Sequence, residues 1–466
     1  MASPDLQHFI ATLERRNELA AIDAEVDPLL EIAAITDRVC KSPMNGPALL
    51  FRAPTGSRFP VATNLFGSPR RVCLALGVDH LKHLTERMSA LLGGIPAPEL
   101  SSLDRQIAGL ADFSRFSPHA SPKPDPRLTA MAAPDLGLFP FLQSWPGDGG
   151  SDGFPRYITL GQVYTRHPES GHQNCGMYGA QLRGPTELAL RWKQGSGAGR
   201  HLERYRRRGV PMPVAITLGG PPAMTLSALF PLPGELDELT FAGFLASSPL
   251  RTTACRTVPL MVPAACELLI EGYVNPAETV REGPFGNHTG SYSPATDASL
   301  MRVTTISHRP HAIIPATVVG PPPMEDCWMA RAWERLLLAF LQRLIPGIAE
   351  ICLPLQWVFH QSAIISLENP TPAMVRETAS RLWETPWFTA SRLLIFVDAG
   401  TAPDDLGTVA WSAINSCDVD GDMIRDSSGL RTALDATGCR MARQRIQPDE
   451  AVARRIARRW KEYGLE

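Results

Sequence analysis

Apolar residues recur at helical spacing over residues 5–20 and 27–40, with charged positions between them, and predict two amphipathic helices. The second opens at Asp27-Pro28, a capping residue followed by a proline suited to a first helical position. Pro47-Ala-Leu-Leu-Phe-Arg52 and Phe59-Pro-Val-Ala-Thr63 read as short strands, and residues 78–93 as a further helix. The pattern then changes. Tyr157–Thr165, Met212–Leu218, Glu267–Tyr273 and Leu300–Ser307 are rich in Val, Ile, Thr and Tyr and are set apart by Gly/Pro turns, which predicts a β-barrel or sandwich. Farther on, Trp333, Leu336, Leu337, Phe340, Leu341 and Leu344 share one helical face. Arg392-Leu-Leu-Ile-Phe-Val-Asp398 is an unbroken apolar run ending in a carboxylate, as in a buried parallel strand. A basic helix over Glu450–Tyr463 closes the chain and reads as a solvated or subunit-facing surface.

This alternation predicts an α/β plus β protein of three parts, an N-terminal α/β domain over 1–116, a β domain over 117–308 and a C-terminal α/β domain over 309–466. The first boundary falls in the loop-rich stretch Ser117–Pro126. At 466 residues the chain exceeds what one core supports. A net charge of −2 argues against a nucleic-acid binder that works through bulk electrostatics. No apolar run is long and unbroken enough to span a bilayer, and Met1–Phe9 carries no signal-peptide pattern. Nine cysteines without a Cys-x-x-Cys pair exclude a disulfide framework and a zinc ribbon, so a cytoplasmic protein without membrane or nucleic-acid partners is expected.

The densest chemistry lies in Glu282-Gly-Pro-Phe-Gly-Asn-His-Thr-Gly-Ser-Tyr-Ser-Pro294, where glycines permit close backbone approach and prolines stiffen the turn. It reads as a rigid loop presenting Glu282, Asn287 and His288, although its composition alone is that of an ordinary connector. Three other segments carry polar groups on the β scaffold, namely Asn174-Cys-Gly-Met-Tyr-Gly179, Arg191–His201 and Pro231–Glu238. Asn, neutral His and Glu suit Mg²⁺ or Mn²⁺ better than zinc, but their spacing does not join them, and by itself His201 reads as a surface histidine after a glycine turn.

Asn64-Leu-Phe-Gly-Ser, Pro155-Arg-Tyr-Ile-Thr, Asn174-x-Gly-Met-Tyr, Glu271-Gly-Tyr, Glu282-Gly-Pro-Phe-Gly, His288-Thr-Gly-x-Tyr and Pro322-Pro-Met-Glu-Asp326 occur in the order found in the UbiD family of decarboxylases, which the chain resembles along essentially its whole length. The resemblance implies a central split β-barrel of flavin-reductase type and a C-terminal domain that makes oligomer contacts, so a homodimer or larger assembly, supported by the Trp333–Leu344 helix, is expected. It implies prenylated FMN from a separate flavin prenyltransferase, with Mn²⁺ (or Mg²⁺) on the cofactor phosphate and K⁺ nearby. By position the metal ligands are Asn174, His201 and Glu238. Cofactor contacts fall on these three and on Met177, Tyr178, Gly179, Arg191, Trp192, Arg200 and Arg392. The substrate would be an unsaturated, aromatic or heteroaromatic carboxylic acid.

In the family a Glu–Arg–Glu/Asp network returns a proton to the carbon that loses CO₂. Glu282 occupies the first position, but Gly179 stands where the arginine is expected and Asn287 where the second acid is expected. An amide does not transfer a proton in this pH range, and loss of the guanidinium deprives Glu282 of its expected partner. Arg183 lies too far along the strand to replace it. Three readings follow: an enzyme with a rearranged acid, in which His288 or Glu282 delivers the proton; a non-catalytic cofactor-binding or partner subunit; and a prenylated-FMN enzyme of different chemistry.

Overall fold

The structure, a computed structural model, describes residues 2–96, 98–193, 195–438 and 449–464. Its N-terminal part contains α1 (Leu6–Arg15), β1 (Leu19–Val26), α2 (Glu31–Cys40), β2 (Ala48–Pro54), β3 (Val61–Thr63), α3 (Pro69–Leu76) and α4 (Lys82–Gly93). Two expectations are corrected here. The first helix stops at Arg15, because Asn17 turns left-handed and Leu19 onward pairs in parallel with β2. The second begins at Glu31 instead of Asp27, because Asp27 forms a turn, accepting from Leu29 N–H while Glu31 accepts from Asp27 N–H. The strand β15 (Ile314–Pro315) returns to this sheet and pairs with β3, giving the order β1-β2-β3-β15.

The central sheet has nine strands. They are β4 (Thr129–Ala130), β5 (Tyr157–Ile158), β6 (Gln162–Arg166), β7 (Gln173–Met177), β8 (Ala180–Gly184), β9 (Glu187–Leu190), β10 (Met212–Leu218), β11 (Leu268–Glu282) and β14 (Thr296–His308). Between β11 and β14 the hairpin β12 (Phe285–Gly286) and β13 (Tyr292–Ser293) forms a sheet of its own. The path runs β5-β8-β9-β14-β11-β10-β6-β7, with β4 alongside β14. The expected strand Tyr157–Thr165 is thus two strands, β5 and β6, broken at residues 159–161 and lying toward opposite ends of the path. β7 and β8 also lie toward opposite ends, yet only Tyr178 and Gly179 join them. Two linking residues hold Met177 and Ala180 within about 11 Å, so the sheet curls and brings the two ends of its path near each other. No ladder bonds β7 to β8 among the described residues, and the curl remains open. Its inner face is apolar, built from Ile158, Val163, Leu188, Met212, Ile270 and Met301.

α5 (Gly197–Arg208) and α6 (Glu238–Ala246) flank this sheet. The C-terminal part has α7 (Glu325–Leu344), β16 (Ile348–Cys352), β17 (Ser362–Leu367), α8 (Pro372–Glu384), β18 (Leu393–Asp398), α9 (Leu406–Ser416), β19 (Met423–Arg425), β20 (Thr432–Asp435) and α10 (Glu450–Arg458). β18 lies between parallel neighbours β17 and β20, which explains its unbroken apolar run. The apolar face of α7 does not serve a dimer as expected. Trp333, Leu336, Leu337, Phe340 and Leu341 are buried in one core with Phe9, Leu13, Phe66 and Met88, which joins the N- and C-terminal parts. Two of the quoted motifs meet at this junction, where Glu325 accepts Phe66 N–H at 2.8 Å, while Asn64 donates to the Asn45 and Pro47 carbonyls within the N-terminal part. No helix among the described residues is long and apolar enough to cross a membrane.

Candidate active site

Asn174 and Cys175 lie on β7, hydrogen-bonded along the ladder to β6. Thr165, opposite Asn174 on β6, brings its hydroxyl to 2.9 Å from His201 Nδ1 on α5. The first turn of α5 lies against Asn174, whose Oδ1 is 1.6 Å from where a Cβ on Gly197 would stand. Glu238 opens α6, capped by Asp237, and accepts Cys175 N–H at 3.0 Å. The chain fold therefore converges on Asn174, His201 and Glu238 from β7, α5 and α6. His201 is 3% exposed, which corrects its expected surface position.

The electrostatics of this trio favour a cation. Burial, aided by His167, His172 and Arg200, lowers the His201 pKa to about 4, so the ring is neutral, and Nε2 has no hydrogen-bond partner among the described residues. Burial raises the Glu238 carboxyl to about 8, against the opposing hydrogen bond from Cys175 N–H. The residue as a whole is only partly covered, but its carboxylate end is enclosed, and among the described residues no guanidinium or ammonium forms an ion pair with it, Arg200 acting only as a more distant charge. Asn174 turns its Oδ1, the atom of the amide that can ligate, toward the first turn of α5, while its Nδ2, an N–H donor, is buried without a partner among the described residues. Among the described residues no three His, Cys, Asp or Glu side chains converge on one point, so a metal here would need the Asn174 amide as its third protein ligand. A neutral imidazole nitrogen, a buried carboxylate and an amide oxygen are hard donors that fit a divalent ion.

The expected cofactor residues divide into groups. Arg191, Trp192 and Arg200 line a cleft of about 670 Å³ with Lys193, Arg204 and Arg207, a basic surface suited to a phosphate-bearing ligand. Tyr178 packs edge-on against Trp192, ring centroids 5.3 Å apart, while Met177 reaches the core shared with α7. Gly179 faces open space. Arg200 is exposed and bonds the Gly195 carbonyl at 2.6 Å. Arg392 is exposed at the head of β18, and its side chain is not brought to the others. Its neighbour Ser391 lines a second cavity of about 320 Å³ with Phe230, Trp333, Phe359, His360 and Trp387. Lys193 lines both cavities.

The Gly/Pro loop is rigid because it is bonded to the Ser144–Asp148 segment. Gly286 N–H donates to Asp148 Oδ1 at 2.8 Å, and Gly147 N–H donates to the Tyr292 hydroxyl at 2.9 Å. A Cβ on Gly286 would stand 2.2 Å from Trp145 Cδ1, which is why glycine is required there. Glu282, the last residue of β11, is 3% exposed. Its loss of an ion-pair partner, expected from Gly179, is corrected, because Arg191 Nε lies 3.3 Å from Glu282 Oε2. The approach is ionic and not aligned as a hydrogen bond. Burial raises the Glu282 pKa, while Arg191 and the Tyr157 hydroxyl oppose it. Arg183 is engaged elsewhere, 3.7 Å from Asp152 and stacked on Phe154.

Asn287 builds the hairpin. Its Nδ2 donates to Ser293 Oγ at 2.7 Å, and its Oδ1 accepts the Thr289 N–H and hydroxyl at 2.9 and 2.6 Å. His288 Nδ1 lies 3.0 Å from Asp326 Oδ2 at the start of α7, without hydrogen-bond alignment. Burial works to lower the His288 pKa, but Asp326 outweighs it and the net direction is up. Sequence reasoning missed Thr165, Tyr157, Lys193 and the role of Asp326. Tyr157, Lys193 and Asp326 each lie in a segment the sequence marks, Pro155–Thr159, Arg191–His201 and Pro322–Asp326, whereas Thr165 carried no signal.

Three family models cover most of the chain. The 3-octaprenyl-4-hydroxybenzoate carboxy-lyase N-terminal, Rift-related and C-terminal domains match residues 10–91, 120–322 and 327–442. The chain belongs to the UbiD family, whose members are carboxy-lyases. An uncharacterised protein of Archaeoglobus fulgidus is 36% identical over 91% of this chain and 86% of its own length. One of Synechocystis is 33% identical over 99% and 96%. Vanillic acid decarboxylase of Sedimentibacter hydroxybenzoicus in closed form shares the fold, with a TM-score of 0.84 at 24% identity over the whole of both chains. The UbiD-class enzyme HmfF of Pelotomaculum thermopropionicum, in an evolved dimeric form complexed with prenylated FMN, gives 0.81 at 24% identity over 97% and 98%.

Proposed function

We propose that this protein is a prenylated-FMN-dependent (de)carboxylase of an unsaturated, aromatic or heteroaromatic carboxylic acid, with an altered proton-transfer network on an open, split β-barrel. The meeting of three hard-ligand side chains, the Asn174 amide, the neutral His201 ring and the buried Glu238 carboxylate, carries this reading, because family members hold the cofactor phosphate through a divalent metal at these positions. In it they ligate Mn²⁺ (or Mg²⁺), with K⁺ nearby, and the basic cleft at Arg191, Trp192 and Arg200 takes the flavin supplied by a flavin prenyltransferase. When bound, that group supplies an electron sink for the pair left on carbon as CO₂ departs.

The chain's own residues then manage the acid and the proton. Thr165 holds His201 Nδ1, which leaves Nε2 to the metal. Asp326 faces His288 Nδ1, so Nε2 carries the transferable proton, and the upward direction of its pKa keeps the imidazolium populated toward neutrality. Asn287 contributes no acid. That same observation favours the second reading, a cofactor-binding subunit without turnover.

The test is protein produced with a flavin prenyltransferase and offered a panel of such acids. Bound flavin and Mn²⁺, both lost in Glu238→Ala, together with CO₂ release that falls about 10²–10⁴-fold in His288→Gln, are the expected results. Flavin retention without turnover of any acid would select the subunit reading. A protein that never retains flavin or metal would remove both.

A further inference from the structure

We propose that Arg191 takes over the work of the arginine missing at position 179, holding the Glu282 carboxylate from the neighbouring strand. The strand register carries this. β8 and β9 are antiparallel, with Gln181 opposite Ala189 and Ala180 opposite Leu190. Continued by one pair, the ladder sets Arg191 opposite Gly179. The guanidinium has therefore crossed the ladder at the same level of the sheet, by roughly 5 Å between opposed Cα atoms. From the end of β9 it passes over β14, whose Ser299 faces Leu190 and whose Thr296 faces Glu282, and comes within 3.3 Å of the carboxylate.

Three further observations fit the exchange. Gly179 has nothing within 4 Å of where its Cβ would stand, so the vacated position is open. Arg183, the arginine on β8 itself, is held by Asp152 and Phe154. Glu282 is 3% exposed, and an unpaired carboxylate buried to that degree would be neutralised, so a cation beside it decides whether it is ionised. The titratable groups around it are Arg191 from the end of β9 and Tyr157 from β5, with Asp148 beyond Tyr157. Arg191 is thus a positioning residue for Glu282. The assignment rests on the decarboxylase reading for its consequence but not for its geometry.

The experiment separates the two. In flavin- and metal-free protein, the infrared band of the protonated Glu282 carboxyl, identified by its loss in Glu282→Gln, is titrated with pH. Arg191→Met should move its midpoint up by about one to three pH units. Arg191→Lys should restore part of the difference, and Gly179→Arg combined with Arg191→Met should restore most of it. With the loaded enzyme, Arg191→Met should lower kcat by at least about tenfold with little change in KM, and the double variant should recover it. If Arg191→Met does not fold, Arg191→Lys and the double variant carry the comparison. A midpoint unmoved by every change at Arg191 overturns the proposal, as does loss of flavin and metal retention with the midpoint unmoved, which would make Arg191 a cofactor contact alone. A midpoint that moves as expected in a protein that turns over no acid upholds the pairing and removes the decarboxylase reading.

Discussion

At the scale of single residues, the two departures from the family pattern have different physical outcomes. Gly179 leaves open space, and the Glu282 carboxylate is reached by another arginine, Arg191. Asn287 leaves no gap, because both ends of its amide are bonded within the hairpin. Asn287→Ala should therefore destabilise the fold by about 1–2 kcal/mol, measured by denaturant unfolding. Asn287→Asp should cost less, since a carboxylate keeps both Thr289 bonds and the Ser293 hydroxyl can turn to donate. An alanine variant as stable as the parent would deny the amide this role. Glu325 offers a pH test. Burial raises its pKa from 4.5 to about 7, despite the bond from Phe66 N–H and the charge of Arg71. The stability gained by keeping it neutral is thus complete below about pH 4.5 and lost as pH rises through about 7. Glu325→Gln cannot ionise, so its stability relative to the parent should rise across that interval by an amount on the order of 3 kcal/mol. Parallel stability–pH curves for the two proteins would show that Glu325 ionises freely in the fold.

At the scale of elements, the position of α5 decides whether Asn174 and His201 can share an ion. Gly197, its first residue, admits the Asn174 side chain where any Cβ would displace it. Gly197→Ala should leave thermal stability unchanged or slightly raised, because only the movable end of a side chain is struck and alanine favours helix by about 0.5–1 kcal/mol. Mn²⁺ and flavin retention should fall sharply, and undiminished retention would place Asn174 outside the metal site. Much of this level was legible in the chain. Runs rich in Val, Ile, Thr and Tyr located β10 and parts of the longer β11 and β14, and the continuous apolar run located β18. The bounds failed where local turns intervene, at Asn17 after α1, at Asp27 before α2 and at residues 159–161 between β5 and β6. Each is a backbone conformation or a hydrogen bond that hydrophobic periodicity does not encode.

At the scale of the whole molecule, α7 was expected to support subunit association but is consumed by the core that unites both ends of the chain. Assembly into at least a homodimer remains our proposal, and it needs another surface. α9 offers Trp411 at 61% and Ile414 at 80% exposure, three positions apart on one face. Light scattering at micromolar concentration should give at least twice 50.8 kDa, with Ile414→Glu weakening the assembly. A 50.8 kDa particle in the unmodified protein would contradict this.

What the sequence by itself determined was local and additive: the periods that make helices and strands, and a series of motifs whose order identifies the UbiD family. The site residues it marked were largely those the family marks, and Asn174, His201 and Glu238 are indeed brought together. Which groups meet across the fold was decided only in three dimensions. Thr165 meets His201, Asp326 meets His288 and Arg191 meets Glu282 because the packing of α5 on β6 and β7, the start of α7 and the strand order β9-β14-β11 bring together segments apart in the chain. A side chain's electrostatic partner depends on strand order and register, and neither leaves a trace in the residues immediately around it.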